Sequence, residues 1–254
     1  MPRIRVPEEP NRIYGSVPLG ANGELLLLDE RQYRDPQPCG DEVGRPCSDS
    51  ERNAPRTLLG AEQKRWLQDR LRDSPAAWKL VANQVMIMSL DVPARNAVNP
   101  DQWDGYGGER RELLATAQAE GIEGIAFLTG DIHTFFAGQV TPAGRQGLPT
   151  DGAPAAVEFV GGAITSKGLG DDFAAGGVGV DLSTGSAVRS NNPHIVYSNL
   201  TRKGYAVLEA RADELLVDYR APQSTQTPRS PMETLARFRV GHGSNQVERV
   251  DGPV

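Results

Sequence analysis

GIAFLTGDIH, residues 124–133, is an apolar run that breaks at a glycine and delivers a carboxylate and an imidazole. An unbroken apolar stretch of this length reads as a strand buried on both faces, the kind found in parallel sheets. Beyond Gly130, Asp131 and His133 stand two residues apart, and in extended chain such residues project to the same side. A carboxylate and a neutral imidazole aimed together can share a cation. Open α/β sheets place their sites at the carboxyl ends of strands, where this pair falls. A bare Asp-x-His also suits a duller arrangement, in which the aspartate caps the next turn and the histidine bonds to backbone.

Working outward, AWKLVANQVMIM (77–88) is a second buried run. It contains Asn83 and Gln84, whose amides cost free energy inside a sheet unless they are hydrogen-bonded or hold something. Amide oxygens are good ligands for hard cations, so both a satisfied network and a metal role stay open. ELLLLDERQYR (24–34) is a third buried strand that turns polar at Asp29, followed by a long Pro/Gly/Ser-rich loop over 35–56. Helical spacing appears in AEQKRWLQDRLRD (61–73) and in GERRELLATAQAEG (108–121), where Gly121 reads as the stop. Before the second helix, Trp103-Asp104-Gly105-Tyr106 leads to Arg110 and Arg111. Asp104 there can orient a water or a cation, and an arginine can clamp a phosphoryl group; a helix-capping loop with exposed arginines is the alternative. FFAGQV (135–140) and AAVEFV (155–160) read as short strands, 161–193 as a mobile loop, and HIVYSNL, KGYAVLEA and ELLVDYRA (194–221) as an antiparallel meander. Tyr205 is expected to pack on the sheet, His194 to be structural and His242 exposed. Residues 221–254 read as an irregular surface tail. Strands alternating with helices, then strands alone, give an α/β layered architecture.

Composition sets limits. The chain has 254 residues, 38% hydrophobic and 24% charged, with a formal charge of −6. That balance argues against a nucleic acid as a stable partner and against anionic membranes, which need a basic face. There is no apolar run long enough for a membrane-spanning helix. The first residues, MPRIRVPEEPNRIYG, have no apolar core of a signal peptide. Cys39 and Cys47, close together in a Gly/Pro-rich loop, read as a local disulfide or as free thiols, and the disulfide points to an oxidising compartment.

Seven segments in order, LLLLDERQYR, RTLLGAEQKRWLQDRL, WKLVANQVM, WDGYGGERRELL, LTGDIHTFF, EFVGGAITSKG and NPHIVYSNLTRKGY, resemble the PhoD-like phosphatases of the calcineurin-like metallophosphoesterase fold. The similarity covers about 12–220. It implies the C-terminal half of a four-layer αββα sandwich: one N-terminally incomplete domain over 1–254. It implies hydrolysis of small phosphomonoesters or phosphodiesters at a binuclear centre, iron and calcium in the family. Gly-Asp-Ile-His matches the family's last metal motif, which makes Asp131 and His133 ligands. Gln84 and Glu158 follow as further metal residues, and Asn83, Asp104 and Arg110 as catalytic ones. Ser166 and Lys167, in the loop after Glu158, are further phosphate candidates. The family's earlier motifs, a Gly-Asp segment and a Trp-Asp-Asp-His-Glu segment, have no counterpart here, so a fragment of an exported periplasmic or extracellular parent is expected. The alternative is a non-catalytic remnant or partner-binding half-domain.

Overall fold

Four of the apolar runs line up side by side, as their lack of period-two alternation requires. The computed structural model describes residues 9, 11–40, 47–91, 99–142, 153–171 and 185–250. Strands β1 (Gly15–Leu19) and β2 (Gly23–Leu27) form a hairpin, and helices α1 (Asp49–Arg52) and α2 (Gly60–Asp73) follow. Next come β3 (Trp78–Asn83), a 3-10 turn (Trp103–Tyr106), α3 (Gly107–Ala119), β4 (Ile125–Thr129), β5 (Phe135–Val140) and β6 (Ala156–Val160). Helix α4 (Ser186–Asn191) and β7 (Ile195–Asn199) lead into β8 (Tyr205–Ala210), β9 (Glu214–Pro222), β10 (Met232–Gly241) and β11 (Glu248–Arg249). The first sheet has seven strands in the order β1-β2-β3-β4-β6-β5-β7, and the second has four, β11-β10-β9-β8. β2, β3, β4 and β6 are mutually parallel. The second sheet is wholly antiparallel.

Two cores result. On one face of the first sheet, Leu26, Val81 and Phe127 meet Leu67 and Leu71 of α2, Leu113 and Leu114 of α3, and Val188 of α4. On the other face, Trp78, Leu80, Phe135 and Phe159 meet Leu215, Val217, Tyr219 and Phe238 of the second sheet. Rings of Phe135, Phe159, Tyr197, Tyr219 and Phe238 stack with centroids 4.9–6.0 Å apart. Each such pair adds about 0.5–1.5 kcal/mol beyond its buried area. The described residues therefore make three layers, helices on sheet on sheet. The α/β class holds, while the fourth, outer helical layer is not among them.

The expected irregular tail is corrected. β10 is the longest strand among the described residues and puts Ala236, Phe238 and Val240 into the inter-sheet core. Its period-two signal rests on those three positions alone, interleaved with Arg237 and Arg239 and preceded by a Pro/Ser/Thr-rich segment, so composition hides it. Tyr205 is corrected too: it is 42% exposed, on the open edge strand β8. His194 is buried with Nε2 2.9 Å from the Ser89 carbonyl. His242 lies edge-on to Trp78, with Nε2 3.0 Å from the Ala77 carbonyl. Of the expected mobile loop at 161–193, residues 172–184 lie outside the described residues.

Cys39 and Cys47 form a disulfide, spanning eight residues, and the chain then enters α1 through a Ser48–Glu51 capping box. Pro38 and α1 pack on the 3-10 turn. A Cβ on Gly105 would lie 1.9 Å from the Pro100 carbonyl, which is why the Trp-Asp-Gly-Tyr turn needs glycine there. Serine at both cysteines is expected to lower unfolding free energy by about 2.5 kcal/mol, from loop closure over the eight-residue separation. Urea melts of the oxidised protein and the double variant measure it.

Candidate active site

Parallel strands end at a common edge, so the residues after β2, β3 and β4 meet there: Asp29-Glu30-Arg31, Asn83-Gln84 and Gly130-Asp131-Ile132-His133. The last segment is not extended. Asp131 and His133 both have positive φ, 68° and 57°, and the Ile132 amide donates to the Gly130 carbonyl at 2.9 Å. The expectation of two side chains aligned along extended backbone is thus replaced by a tight turn. Ile132 packs against the helix-side core and is flanked by two exposed polar residues. Left-handed backbone at a non-glycine residue costs about 1–3 kcal/mol and persists where its surroundings impose it, commonly at sites.

The surroundings do impose it. Asp131 Oδ2 accepts from Gln102 Nε2 at 3.3 Å, and Oδ1 lies 3.9 Å from the Arg31 guanidinium. Arg31 is in turn held by both oxygens of Asp101 at 2.9 Å, and Arg34 pairs with the same carboxylate. Although burial raises it, the two guanidiniums hold the Asp101 carboxyl below its ordinary range. His133 Nδ1 is 2.7 Å from the Lys167 carbonyl. A carbonyl accepts only, so Nδ1 donates there, and in the neutral ring that leaves the Nε2 lone pair for a metal. Ser166 and Lys167 are exposed.

Behind this exposed rim lies a sealed polar network. Glu158 is fully buried; its Oε1 accepts from the Ile87 amide (3.0 Å), the Thr129 hydroxyl and Asn83, and its Oε2 from the Met88 amide (2.7 Å). Asn83 donates to Thr129 Oγ1 at 3.1 Å and accepts from the Trp103 indole at 3.2 Å. Asp104 and Arg110, each 4% exposed, pair at 3.1 Å; Asp104 also accepts from the Leu90 amide, and Arg110 donates to the Ile87 carbonyl. Glu158, Asn83, Asp104 and Arg110 are thus all buried inside the protein. Glu158, Asn83 and Asp104 are turned to donors inside the protein, and Arg110 to Asp104 and the Ile87 carbonyl, with its Nε left without a partner. Gln84 is half-buried, and its side-chain oxygen accepts from the Glu30 amide at 2.7 Å.

Glu30 was not anticipated. It has 0% exposure and accepts from the Trp103 indole at 2.8 Å and the Val85 amide at 2.9 Å. A charged pair directly following four leucines was the available signal. Burial pushes the Glu30 carboxyl up to about 8 and the Glu158 carboxyl up to about 7, against the donors that lower them. Both folded values exceed the ordinary 4.5, so the proton favours the folded state. That stability is complete below pH 4.5 and disappears as pH rises through about 7 to about 8. The melting temperature is expected to fall across this window, and Glu30→Gln is expected to remove the upper part of the fall in a calorimetric pH series.

Among the described residues, Cys39, Cys47 and Glu51 are the one set of three or more His, Cys, Asp or Glu donors close enough to hold an ion, and its two sulfurs are spent in the disulfide. Asp131 and His133 thus suit a metal by chemistry and exposure, but they are two donors. The sequence profile of the PhoD-like phosphatases matches residues 1–219.

The chain belongs to the PhoD-like phosphatase family.

Alkaline phosphatase D of Bacillus subtilis (strain 168) is 31% identical over 241 residues, 92% of this chain and 39% of that enzyme. A solved structure described as PhoD superposes with a TM-score of 0.80 at 29% identity, over 96% of this chain and 44% of the other. This PhoD-like chain therefore spans about two fifths of the length of the relatives it matches.

Proposed function

We propose that this chain contributes to a metal-dependent phosphoester hydrolase of the PhoD-like type, with Asp131 and His133 as its metal ligands. The observation that carries the reading is the exposed Asp131–His133 turn at the carboxyl end of β4, with His133 Nδ1 on the Lys167 carbonyl. Bound metal supplies an activated water and neutralises charge on the phosphoryl oxygens. The residues present hold the donors for it. Gln102 and Arg31 bracket the Asp131 carboxylate, and the Lys167 carbonyl fixes the His133 ring. Gln84 is a supporting amide at the rim. Glu158, Asn83, Asp104, Arg110 and Glu30 stiffen the strand ends on which that rim stands.

The resemblance implies an iron–calcium pair, small phosphomonoester or phosphodiester substrates, and a periplasmic or extracellular parent. A binuclear centre takes more donors than Asp131 and His133 alone supply. Family membership supports the phosphatase reading. Co-expressed with the part of Bacillus subtilis alkaline phosphatase D that it does not match, the chain should retain metal by elemental analysis. The pair should hydrolyse p-nitrophenyl phosphate, and a chelator should remove both metal and activity. Hydrolysis indifferent to the chelator overturns the reading, as does a metal-free complex.

A further inference from the structure

A carboxylate stands beside the disulfide. Cys39 and Cys47 hold their Cα atoms 5.6 Å apart, and one donor atom from each of Cys39, Cys47 and Glu51 lies within 4.8 Å of the other two. Local structure sets this spacing. Cys47 immediately precedes Ser48, the N-cap of α1, and the capping box folds Glu51 back toward it. Glu51 Oε2 accepts from the Ser48 amide at 3.0 Å and from the Ser48 hydroxyl at 2.6 Å. A carboxylate has lone pairs for a metal besides these two bonds. On the other side, Cys39 and Gly40 both have positive φ, 62° and 78°, and the Gln37 side-chain amide donates to the Gly40 carbonyl at 2.8 Å. Each donor is thus placed by its own segment and not by the sulfur–sulfur bond alone.

Two thiolates and a carboxylate suit a thiophilic divalent cation. Zinc takes sulfur at about 2.3 Å and carboxylate oxygen at about 2.0–2.2 Å, and three protein ligands with one water is an ordinary coordination for it. A tetrahedral ion then needs its two sulfurs about 3.8 Å apart, which rotation about the two Cα–Cβ bonds supplies at the present Cα separation. Cys47 is buried and Cys39 half-buried, whereas Glu51 is exposed, so ion and water enter from the carboxylate side. Two thiolates, one carboxylate and Zn²⁺ leave one net negative charge. The Arg56 guanidinium, which donates to the Glu51 carbonyl at 2.7 Å, offsets it.

We propose that Cys39, Cys47 and Glu51 bind one zinc ion when the cysteines are reduced, so that one loop has two closures: a metal where thiols persist and a disulfide where they do not. Every chain carries both thiols before it is oxidised, and zinc displaces their two protons as it binds. Oxidation reverses this. The two sulfurs give two electrons to a disulfide oxidant, join to each other and release the zinc, and the oxidant takes up two protons and leaves as a dithiol. Either closure keeps Pro38 and α1 on the 3-10 turn. The site shares no residue with the Asp131 turn and stands or falls apart from the phosphatase reading.

The test uses the 254-residue chain with Asp131→Asn and His133→Asn, which removes the charged donor and the imidazole of the β4 turn. Reduced with a phosphine and freed of it, the chain should take up one zinc in competition with a chromophoric chelator. It should bind that zinc at least about a hundredfold more tightly than the oxidised chain does. Cobalt(II) in place of zinc should give a thiolate-to-metal charge-transfer band in the near ultraviolet. Cys39→Ser with Cys47→Ser should abolish the band and the tight uptake. Glu51→Gln keeps the capping box and loses the charge, and should weaken zinc about tenfold or more. Kd should rise about a hundredfold for each pH unit below the ordinary thiol range, two protons for each zinc. Zinc should raise the urea midpoint of the reduced chain and leave that of the oxidised chain where it was. Equal uptake by the two redox forms overturns the proposal, as does cobalt binding without the thiolate band. Unchanged affinity in Glu51→Gln overturns it as well. Should reduction loosen the fold, zinc is expected to restore the circular dichroism of the oxidised chain, and a reduced chain that stays unfolded with zinc sinks the idea.

Discussion

Asparagine at both Asp131 and His133 is expected to lower metal-dependent phosphoester hydrolysis at least about a thousandfold, roughly 4 kcal/mol of transition-state stabilisation. The choice of replacement follows from the backbone. Both positions have positive φ, and alanine there would add conformational strain to the chemical loss. Asparagine tolerates the left-handed region and leaves the turn intact. Asp131→Asn keeps an oxygen for Gln102 but loses the negative charge, and His133→Asn loses the imidazole lone pair. Both sites are exposed, so the melting temperature should hardly move. Metal content and kcat/KM of the complemented enzyme should fall together while the exchange pattern of the sheet stays. Unchanged kcat/KM in the double variant would remove both residues from the site.

The second large effect concerns stability. Glu158→Ala is expected to destabilise the fold by roughly 2–4 kcal/mol, because it leaves several buried neutral donors without an acceptor. The variant leaves the Ile87 and Met88 amides, the Thr129 hydroxyl and the Asn83 amide without their acceptor, in a site closed to water. Unsatisfied buried donors carry their full desolvation cost. Urea unfolding should show the loss, and metal content of the folded fraction should be unaltered. A ligand role for Glu158 predicts the opposite pattern, with metal lost and stability nearly preserved.

How much of this was legible in the chain? Three of the four parallel strands were, because the apolar runs of β2, β3 and β4 are unbroken and need no partner to be seen. The helices α2 and α3 were legible for the same reason at a different period. β10 was not, since arginine occupies two of its outward positions and a bulge between Thr234 and Ala236 breaks the alternation. At the site, the chemical types at 131 and 133 were readable, but their backbone was not. Positive φ at an aspartate and a histidine goes with contacts to Gln102, Arg31 and Lys167, which are distant in sequence. The same limit explains Glu158, Asp104 and Arg110. A sequence shows that a charge lies in an apolar context, while only the packed sheet ends show whether it faces a substrate or another buried group. Glu30 is the mirror case: a carboxylate beside an obvious surface turn that the Trp103 ring closes off from water.

The placement of Trp103 has an optical consequence. Its indole N–H is shared between the Glu30 carboxylate and the Asn83 amide oxygen, inside the polar layer that supports the Asp131 turn. Trp66 is only half-buried, on α2, and Trp78 lies in the other core, against His242. The emission of one of the molecule's three tryptophans is thereby wired to the charge state of the strand ends. The protein carries its own fluorophore at the place where its chemistry would be felt, with no label to attach.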